Sequence, residues 1–336
     1  MSFSIVAGGF WGDEGKGKIL SYLALADNPA IIARAGVGPN AGHTIEFEGI
    51  VYKLRLIPSG FINPKIRLLI GAGVLVNPQV FLSELETTKT KDRVGVDFQS
   101  GIIEPSHIEI DSTDAHLKNK IGSTGSGCGP ANMDRALRKL KLAREIPELE
   151  PYLTDVSIEI DDALKAGKNI IAEGSQAILL SLFHGSYPYV TSKDVSAAAI
   201  CSDLGVGPTK VTDVIVVLKS FVTRVGTGEL PGELSKEETE KRGWTEYGSV
   251  TGRLRRAAPF NYDLARKAVR LNGATQIALT KLDILYPDTA KANDIRQIRG
   301  EAKEFISRIE EETNVKVSMI GTGPCAKDII DLRENI

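Results

Sequence analysis

The segment Gly12-Asp13-Glu14-Gly15-Lys16-Gly17-Lys18 constrains this chain most, because of what flanks it. Before it runs the apolar stretch Phe3 to Ala7, and after it the helical stretch Ile19-Leu20-Ser21-Tyr22-Leu23-Ala24-Leu25. A strand, a glycine-rich loop and a helix in that order bring backbone N–H groups and the positive end of a helix dipole to one point, where they can receive phosphate. The spacing satisfies G-x-x-x-x-G-K, yet Ile19 stands where a P-loop carries the Ser or Thr that ligates magnesium. A metal there needs another oxygen donor, and the Asp13 carboxylate is the candidate.

The same alternation continues along the chain. Short β-branched runs at Ile31 to Ala33, Arg67 to Ile70, Asn169 to Ala172, Val211 to Leu218, Gln276 to Leu279 and Val315 to Ile320 predict strands, six of which fit one sheet. Helical periodicity covers Pro147 to Lys165, Pro259 to Leu271 and Gly300 to Glu312, and Gly167 and Gly273 give the first two C-cap signals. A further helix is expected to begin near Pro130 and to carry Arg138. Phe47-Glu48-Gly49-Ile50 reads as a hairpin turn. The fold class is α/β: a mostly parallel central sheet with helices on both faces and a P-loop-like phosphate site. No repeat, low-complexity segment or linker interrupts residues 1–336, so one domain is expected.

A formal net charge of −2 excludes a polybasic binder of nucleic acid or membrane surfaces. No apolar run approaches a membrane span, and Met1-Ser2-Phe3-Ser4 lacks the basic region of a signal peptide, which predicts a soluble, cytoplasmic protein. Cys128, Cys201 and Cys325 are odd in number and widely spaced, which argues for reduced thiols rather than a disulfide framework or a zinc site. Glycine, at 33 residues, falls in clusters, as it does where backbone must approach a ligand.

Those clusters hold the remaining candidates. In Gly36-Val37-Gly38-Pro39-Asn40-Ala41-Gly42-His43-Thr44, His43 is expected in a glycine-rich loop, as a hydrogen-bond or proton donor near phosphate. His107 and His116 lack that setting and read as surface residues. In Thr280-Lys281-Leu282-Asp283 a carboxylate follows a strand end, where open α/β sheets bind ligands, and it can accept the paired N1–H and amino donors of guanine. The segment Gly248 to Arg256 places Arg253, Arg255 and Arg256 beside a Gly/Thr loop, suited to carboxylates or phosphates. Gly122 to Pro130, Glu173-Gly174-Ser175-Gln176 and Tyr187 to Thr191 complete the set.

In this order these segments closely resemble the adenylosuccinate synthetase family, in its compact archaeal form. The shared motifs are W-G-D-E-G-K-G-K at Trp11 to Lys18, N-A-G-H-T at Asn40 to Thr44, S-T-G-S-G-C-G-P-A at Ser123 to Ala131, Y-P-Y-V-T at Tyr187 to Thr191, T-R-V-G at Thr223 to Gly226, V-T-G-R at Val250 to Arg253 and T-K-L-D at Thr280 to Asp283. The resemblance implies GTP-dependent ligation of IMP and L-aspartate through 6-phosphoryl-IMP. It implies Asp13 as base, His43 as acid and Lys16 as a catalytic cation. It implies Mg²⁺ held at Asp13 and Gly42, and GTP held by Gly12, Glu14, Gly15, Lys16, Gly17, Lys18, Gly42, Thr44, Arg255, Lys281, Asp283, Gly321 and Gly323. IMP would meet Asp13, Asn40, Thr124, Gln176, Thr191 and Arg253, with Arg138 reaching in from the second subunit of a homodimer. Aspartate would meet Ser249, Val250, Thr251 and Arg253. The chain departs from the family pattern at Phe10, Ala177, Gly228 to Glu233, Leu254 and Ala258 to Phe260.

Two other readings compete. A regulatory GTPase explains Gly12 to Lys18 and Asp283 but leaves Arg253, Gln176 and Thr191 without work, and Ile19 breaks its magnesium site. The phage relatives that join aspartate to dGMP commonly carry a smaller residue in place of the loop carboxylate, whereas Asp13 is present here, which favours IMP.

Overall fold

Ten strands join in one sheet in a computed structural model of the chain, which describes residues 1–335; Ile336, the last residue of the expected single domain, lies outside them. The strands are β1 (Ser2–Gly8), β2 (Ile31–Arg34), β3 (Arg67–Ile70), β4 (Val94–Asp97), β5 (Leu153–Thr154), β6 (Asn169–Glu173), β7 (Asp213–Lys219), β8 (Gln276–Thr280), β9 (Val317–Gly321) and β10 (Ile329–Asp331). Their order is β10-β9-β8-β7-β1-β6-β2-β3-β4-β5, every neighbouring pair being parallel except β9 with β10. The helices are α1 (Lys16–Ala26), α2 (Pro78–Thr88), α3 (Pro105–Thr113), α4 (Cys128–Ala136), α5 (Val156–Lys165), α6 (Ala197–Leu204), α7 (Lys236–Lys241), α8 (Tyr262–Asn272), α9 (Leu282–Leu285) and α10 (Gly300–Thr313).

Both faces of the sheet are covered, as expected of parallel strands. Phe3, Ile5 and Ala7 of β1 pack in one layer with residues of α5, α6, α8 and α10, and Val6 packs in the other with α1 and α2. Ile19, Leu20 and Leu23 of α1 are fully buried there, each worth about 1.5–3 kcal/mol over exposure, and they fix the helix whose N-terminus closes the first glycine loop. Because the strands are parallel, the loops after β1, β2, β6, β7 and β8 open on one edge, and β1 lies at the centre of that edge.

Several local expectations are corrected. The sheet has ten strands rather than six: the run at Phe3 to Ala7 joins the other six as β1, and β4, β5 and β10, each of four residues or fewer, complete it. Pro147 to Lys165 is not one helix: a 3₁₀ turn over Pro147–Tyr152 contains Pro151, the chain then enters β5, and α5 restarts with Asp155 accepting Ile158 N–H at 3.0 Å. Pro151 lacks an N–H and disfavours helix in the residue before it. The helix near Pro130 stops at Ala136, leaving Arg138 beyond its end with φ +63°. His107 is buried rather than superficial, its Nδ1 accepting Glu104 N–H at 3.0 Å at the start of α3. The hairpin turn does form, with Glu48 and Gly49 at φ +52° and +77° between strands His43–Phe47 and Ile50–Leu54. Phe10 packs edge-on against Phe260, with ring centroids 5.6 Å apart.

Candidate active site

The loop after β1 is shaped by its second carboxylate. Glu14 is fully buried; its Oε1 accepts the N–H groups of Phe10 (2.9 Å) and Gly12 (2.8 Å), and its Oε2 pairs with Lys16 Nζ at 3.0 Å. Lys16 also donates to Gly12 O at 3.4 Å, so its side chain arches over the loop. Gly12 has φ +98°, and a Cβ on it would stand 3.2 Å from Gln176 Cα. Gly15, at φ +87°, caps α1, whose first N–H groups have no partner within the helix.

Above this loop lies a cleft of about 380 Å³, lined by Gly12, Asp13, Asn40, Gly42, Thr124, Gln176, Thr191, Ser249, Val250, Thr251, Arg253 and Arg255. Asp13 Oδ2 accepts the Thr223 hydroxyl and lies 3.3 Å from Arg255 Nε, and Oδ1 lies 3.8 Å from Lys219 Nζ. Asn40, Gln176 and Thr191 come from three loops and meet directly: Gln176 Nε2 donates to Asn40 Oδ1 at 2.9 Å, and Asn40 Nδ2 donates to Thr191 Oγ1 at 3.3 Å. Arg253 donates from Nη1 to Gly122 O at 2.9 Å, drawing the arginine loop against the Gly122–Ser126 segment. Thr44 and Ser249 share a 2.9 Å hydrogen bond.

His43 is not in a loop. It is the first residue of strand His43–Phe47 and is buried, and its Cβ would touch a side chain on Gly17 at 3.0 Å. Its Nδ1 lies 2.5 Å from Glu173 Oε1, 2.7 Å from Arg34 Nη1 and 3.0 Å from Ser59 Oγ. Burial, and then the Arg34 guanidinium, push the imidazole down to about 4 against the pull of Glu173. Burial opposes ionisation of Glu173, but His43, then Arg34 Nη1 at 2.6 Å and the Ser59 hydroxyl at 2.8 Å, hold its carboxyl down to about 2.

A second constellation sits at the ends of β8 and β9. Asp283 occupies the first turn of α9, and its Oδ1 is buried without a hydrogen-bond partner; burial raises its carboxyl above the usual range. Lys18 Nζ donates to Gly323 O and to Asp328 O (2.8 Å), tying the Gly321–Gly323 turn to the first loop, and burial lowers it to about 8. A Cβ on Gly321 would stand 3.2 Å from that amine. Lys281, at φ +63°, lies 3.7 Å from Glu246.

A family model of adenylosuccinate synthetase matches residues 5–145 and 139–288. The adenylosuccinate synthetase of Thermococcus sibiricus is 55% identical, covering 99% of each chain, and that of Methanocaldococcus jannaschii is 54% identical over 100% of this chain and 98% of its own. The chain belongs to the adenylosuccinate synthetase family. The fully ligated adenylosuccinate synthetase of Plasmodium falciparum superposes with a TM-score of 0.91 at 26% identity, covering 98% of this chain and 99% of its own. The cyanophage S-2L succinoaminodeoxyadenylate synthetase, bound to dGMP and to dATP as an energy donor, shares the fold, with a TM-score of 0.81 at 23% identity over 98% and 95% of the two chains.

Of the adenylosuccinate synthetase residues expected from the motifs, Arg138 alone stands apart from both constellations: its side chain is exposed and does not line the cleft. Sequence reasoning gave no role to Arg34 and Glu173, which contact His43, to Lys219, which lies 3.8 Å from Asp13, or to Glu246, which pairs with Lys219 and Arg255. Glu173 opens one of the candidate clusters, but nothing local ties its charge to His43; Arg34 and Lys219 end buried strands and Glu246 lies outside the glycine clusters, so no local pattern marks those three. Among the described residues no helix is long and apolar enough to cross a membrane.

Proposed function

We propose that this chain carries out its family's reaction, the GTP-dependent ligation of IMP and L-aspartate to adenylosuccinate, with the cleft residues in the following roles. The 6-oxygen of IMP is poorly displaced by an amine, so the γ-phosphoryl group of GTP passes to it first; the aspartate amino group then attacks C6, the C–O bond breaks and phosphate leaves. Asp13 accepts the N1 proton of IMP, which makes the 6-oxygen nucleophilic. What supports this role is its setting: the carboxylate is steered by Thr223, Arg255 and Lys219 and shares a cleft with the joined side chains of Asn40, Gln176 and Thr191, three of the expected holders of IMP. His43 passes its Nδ1–H to Glu173 and offers Nε2 to the transferring group. The triphosphate charge favours a proton there, opposing the depression by burial and by Arg34. Lys16 and the first N–H groups of α1 neutralise the phosphates. Guanine lies on Lys281 and Asp283 beside Gly321 and Gly323, and aspartate meets Ser249, Val250, Thr251 and Arg253.

The donor set suits Mg²⁺, a hard cation that takes one or two protein oxygens and fills its shell with phosphate and water. Asp13 Oδ1 and the carbonyl of Gly42, which lines the same cleft, would be those oxygens. Bound there, Mg²⁺ supplies charge neutralisation to the phosphoryl group in transfer.

The enzyme works as a homodimer. Arg138 takes a left-handed conformation where Lys139 N–H reaches back to Asp134 O at 3.0 Å, a helix ending that ordinarily uses glycine. Its guanidinium makes no ion pair among the described residues, and Ile110, Met133 and Leu137 beside it are exposed. A second copy covering this face would receive Arg138 at its own IMP phosphate. Strands from Ser2 to Asp331 share one sheet, so the chain acts as a single domain, and its small soluble substrates place it in the cytoplasm. The test is a coupled assay with IMP, dGMP and GTP alone. Turnover should need both IMP and aspartate; GDP release without IMP, or preference for dGMP, would overturn the reading.

A further inference from the structure

Glu246 stands at the base of the hairpin that carries the aspartate residues, closed by Arg255 N–H to Glu246 O at 2.9 Å, yet its side chain reaches away from that loop. Oε2 receives Lys219 Nζ at 3.0 Å and Arg255 Nη1 at 2.5 Å, and Oε1 lies 3.7 Å from Lys281 Nζ. Each cation leads elsewhere. Lys219 donates to Thr223, whose hydroxyl donates to Asp13; Arg255 Nε lies 3.3 Å from the same carboxylate; Lys281 stands two residues before Asp283. Three cations this close repel one another unless an anion lies among them.

Packing fixes that anion in place. Phe221, two residues beyond Lys219, stacks on Trp244, two residues before Glu246, with centroids 4.6 Å apart and planes at 15°, and both rings are buried. Ser220 Oγ, between Lys219 and Phe221 in the chain, donates to Lys281 O at 2.7 Å. The ends of β7 and β8 and the root of the hairpin are therefore one rigid unit with a carboxylate at its centre.

We propose that Glu246 is a positioning residue that joins the nucleotide-base site to the proton acceptor: it engages Arg255 through Nη1, aiming the rest of the guanidinium at Asp13 and the phosphates, and holds Lys281 beside the guanine carboxylate. The proposal rests on the reading of the cleft given above. In Glu246→Gln the side chain keeps its size and loses its charge. We expect kcat/KM for GTP to fall on the order of 10- to 100-fold, the range for losing a charged hydrogen bond, with a rise in KM for GTP and a fall in kcat. KM for IMP should stay within about twofold. Positional isotope exchange within GTP in the presence of IMP and absence of aspartate should slow in step with kcat, because the first phosphoryl transfer is the step disturbed. Glu246→Asp, which keeps the charge on a shorter stem, should lie between Gln and wild type, and it carries the same comparison if Glu246→Gln does not fold. A variant that melts earlier but keeps wild-type kcat and KM overturns the proposal, as do equal rises in KM for all three substrates. A wild-type enzyme without IMP-dependent GTP turnover would instead overturn the functional reading.

Discussion

Asp283→Asn should act in opposite directions on stability and on nucleotide binding. In the free protein Asp283 Oδ1 is buried without a hydrogen-bond partner, and burial has already raised its carboxyl. A buried, unsatisfied acceptor costs about 1–3 kcal/mol, more when charged. A neutral amide of the same shape relieves part of that, so stability should hold or rise by up to about 1 kcal/mol, a Tm increase of no more than roughly 4 °C. With guanine bound, the carboxylate accepts N1–H and the 2-amino group together. Asparagine keeps one acceptor and turns an NH₂ against a donor. The loss is about 1–3 kcal/mol, so KM for GTP should rise about 5- to 150-fold. XTP, which carries a carbonyl at that position, should be used better relative to GTP. Steady-state kinetics with GTP, XTP and ATP, beside thermal melts of both proteins, measure the two effects. An unchanged KM for GTP with an unchanged XTP to GTP ratio would refute the guanine role, as would equal use of ATP and GTP by the wild type.

Asp13→Asn should reduce adenylosuccinate formation to background, since an amide neither accepts the N1 proton nor offers anionic charge to Mg²⁺; near-normal product formation would reject Asp13 as the base. His43→Asn should lower kcat on the order of 10²–10⁴-fold, and an effect confined to KM would make it a binding residue instead. Arg138→Leu should raise KM for IMP much more than KM for GTP, because a bidentate phosphate contact is lost on one substrate. Mixing it with Asp13→Asn should restore part of the activity through one intact hybrid site, and no complementation after verified subunit exchange would rule out the shared site.

The parts legible in the sequence are those whose cause is local. The unit β1, glycine loop and α1 was readable because each piece carries its own pattern, and so was the hairpin turn at Glu48-Gly49, whose two positive φ values follow from its residues. β5 was not readable: two residues become a strand only because Val96 and Asp97 lie alongside. Pro147 to Lys165 kept its helical periodicity on paper, and Pro151 broke it. His43 looked like a loop residue because its glycines precede it, whereas pairing with Leu54 makes it a strand residue. The motifs identified most residues of the cleft but not their mutual contacts. Asn40, Gln176 and Thr191 touch across sequence separations of 136 and 151 residues, and Glu246 touches Lys219 and Lys281 from outside every glycine cluster. Charge partners of that kind have no periodicity to betray them.

Left-handed backbone at non-glycine residues occurs in the site, at Gln176 and Lys281, and also at plain turns and helix ends such as Glu48 and Lys89. Gln176 at φ +57° and Lys281 at φ +63° take conformations that cost non-glycine residues about 1–3 kcal/mol and persist only where the surroundings over-determine them. Both stand just past the end of a buried parallel strand, β6 or β8, and the left-handed turn swings each side chain back over the sheet edge, toward Asn40 in one case and Glu246 in the other. Gly12 and Gly15 make the corresponding turns after β1 at φ +98° and +87°, and a Cβ on Gly12 would stand 3.2 Å from Gln176 Cα. Arg138 has the same strained conformation at φ +63° but lies outside the cleft, at a helix end where glycine would relieve the strain, and its charge meets no anion on its own chain among the described residues. The strain at Gln176 and Lys281 is explained by what their side chains reach. In the proposed homodimer a second copy would supply the anion that the Arg138 guanidinium lacks among the described residues, and mixing Arg138→Leu with Asp13→Asn tests it.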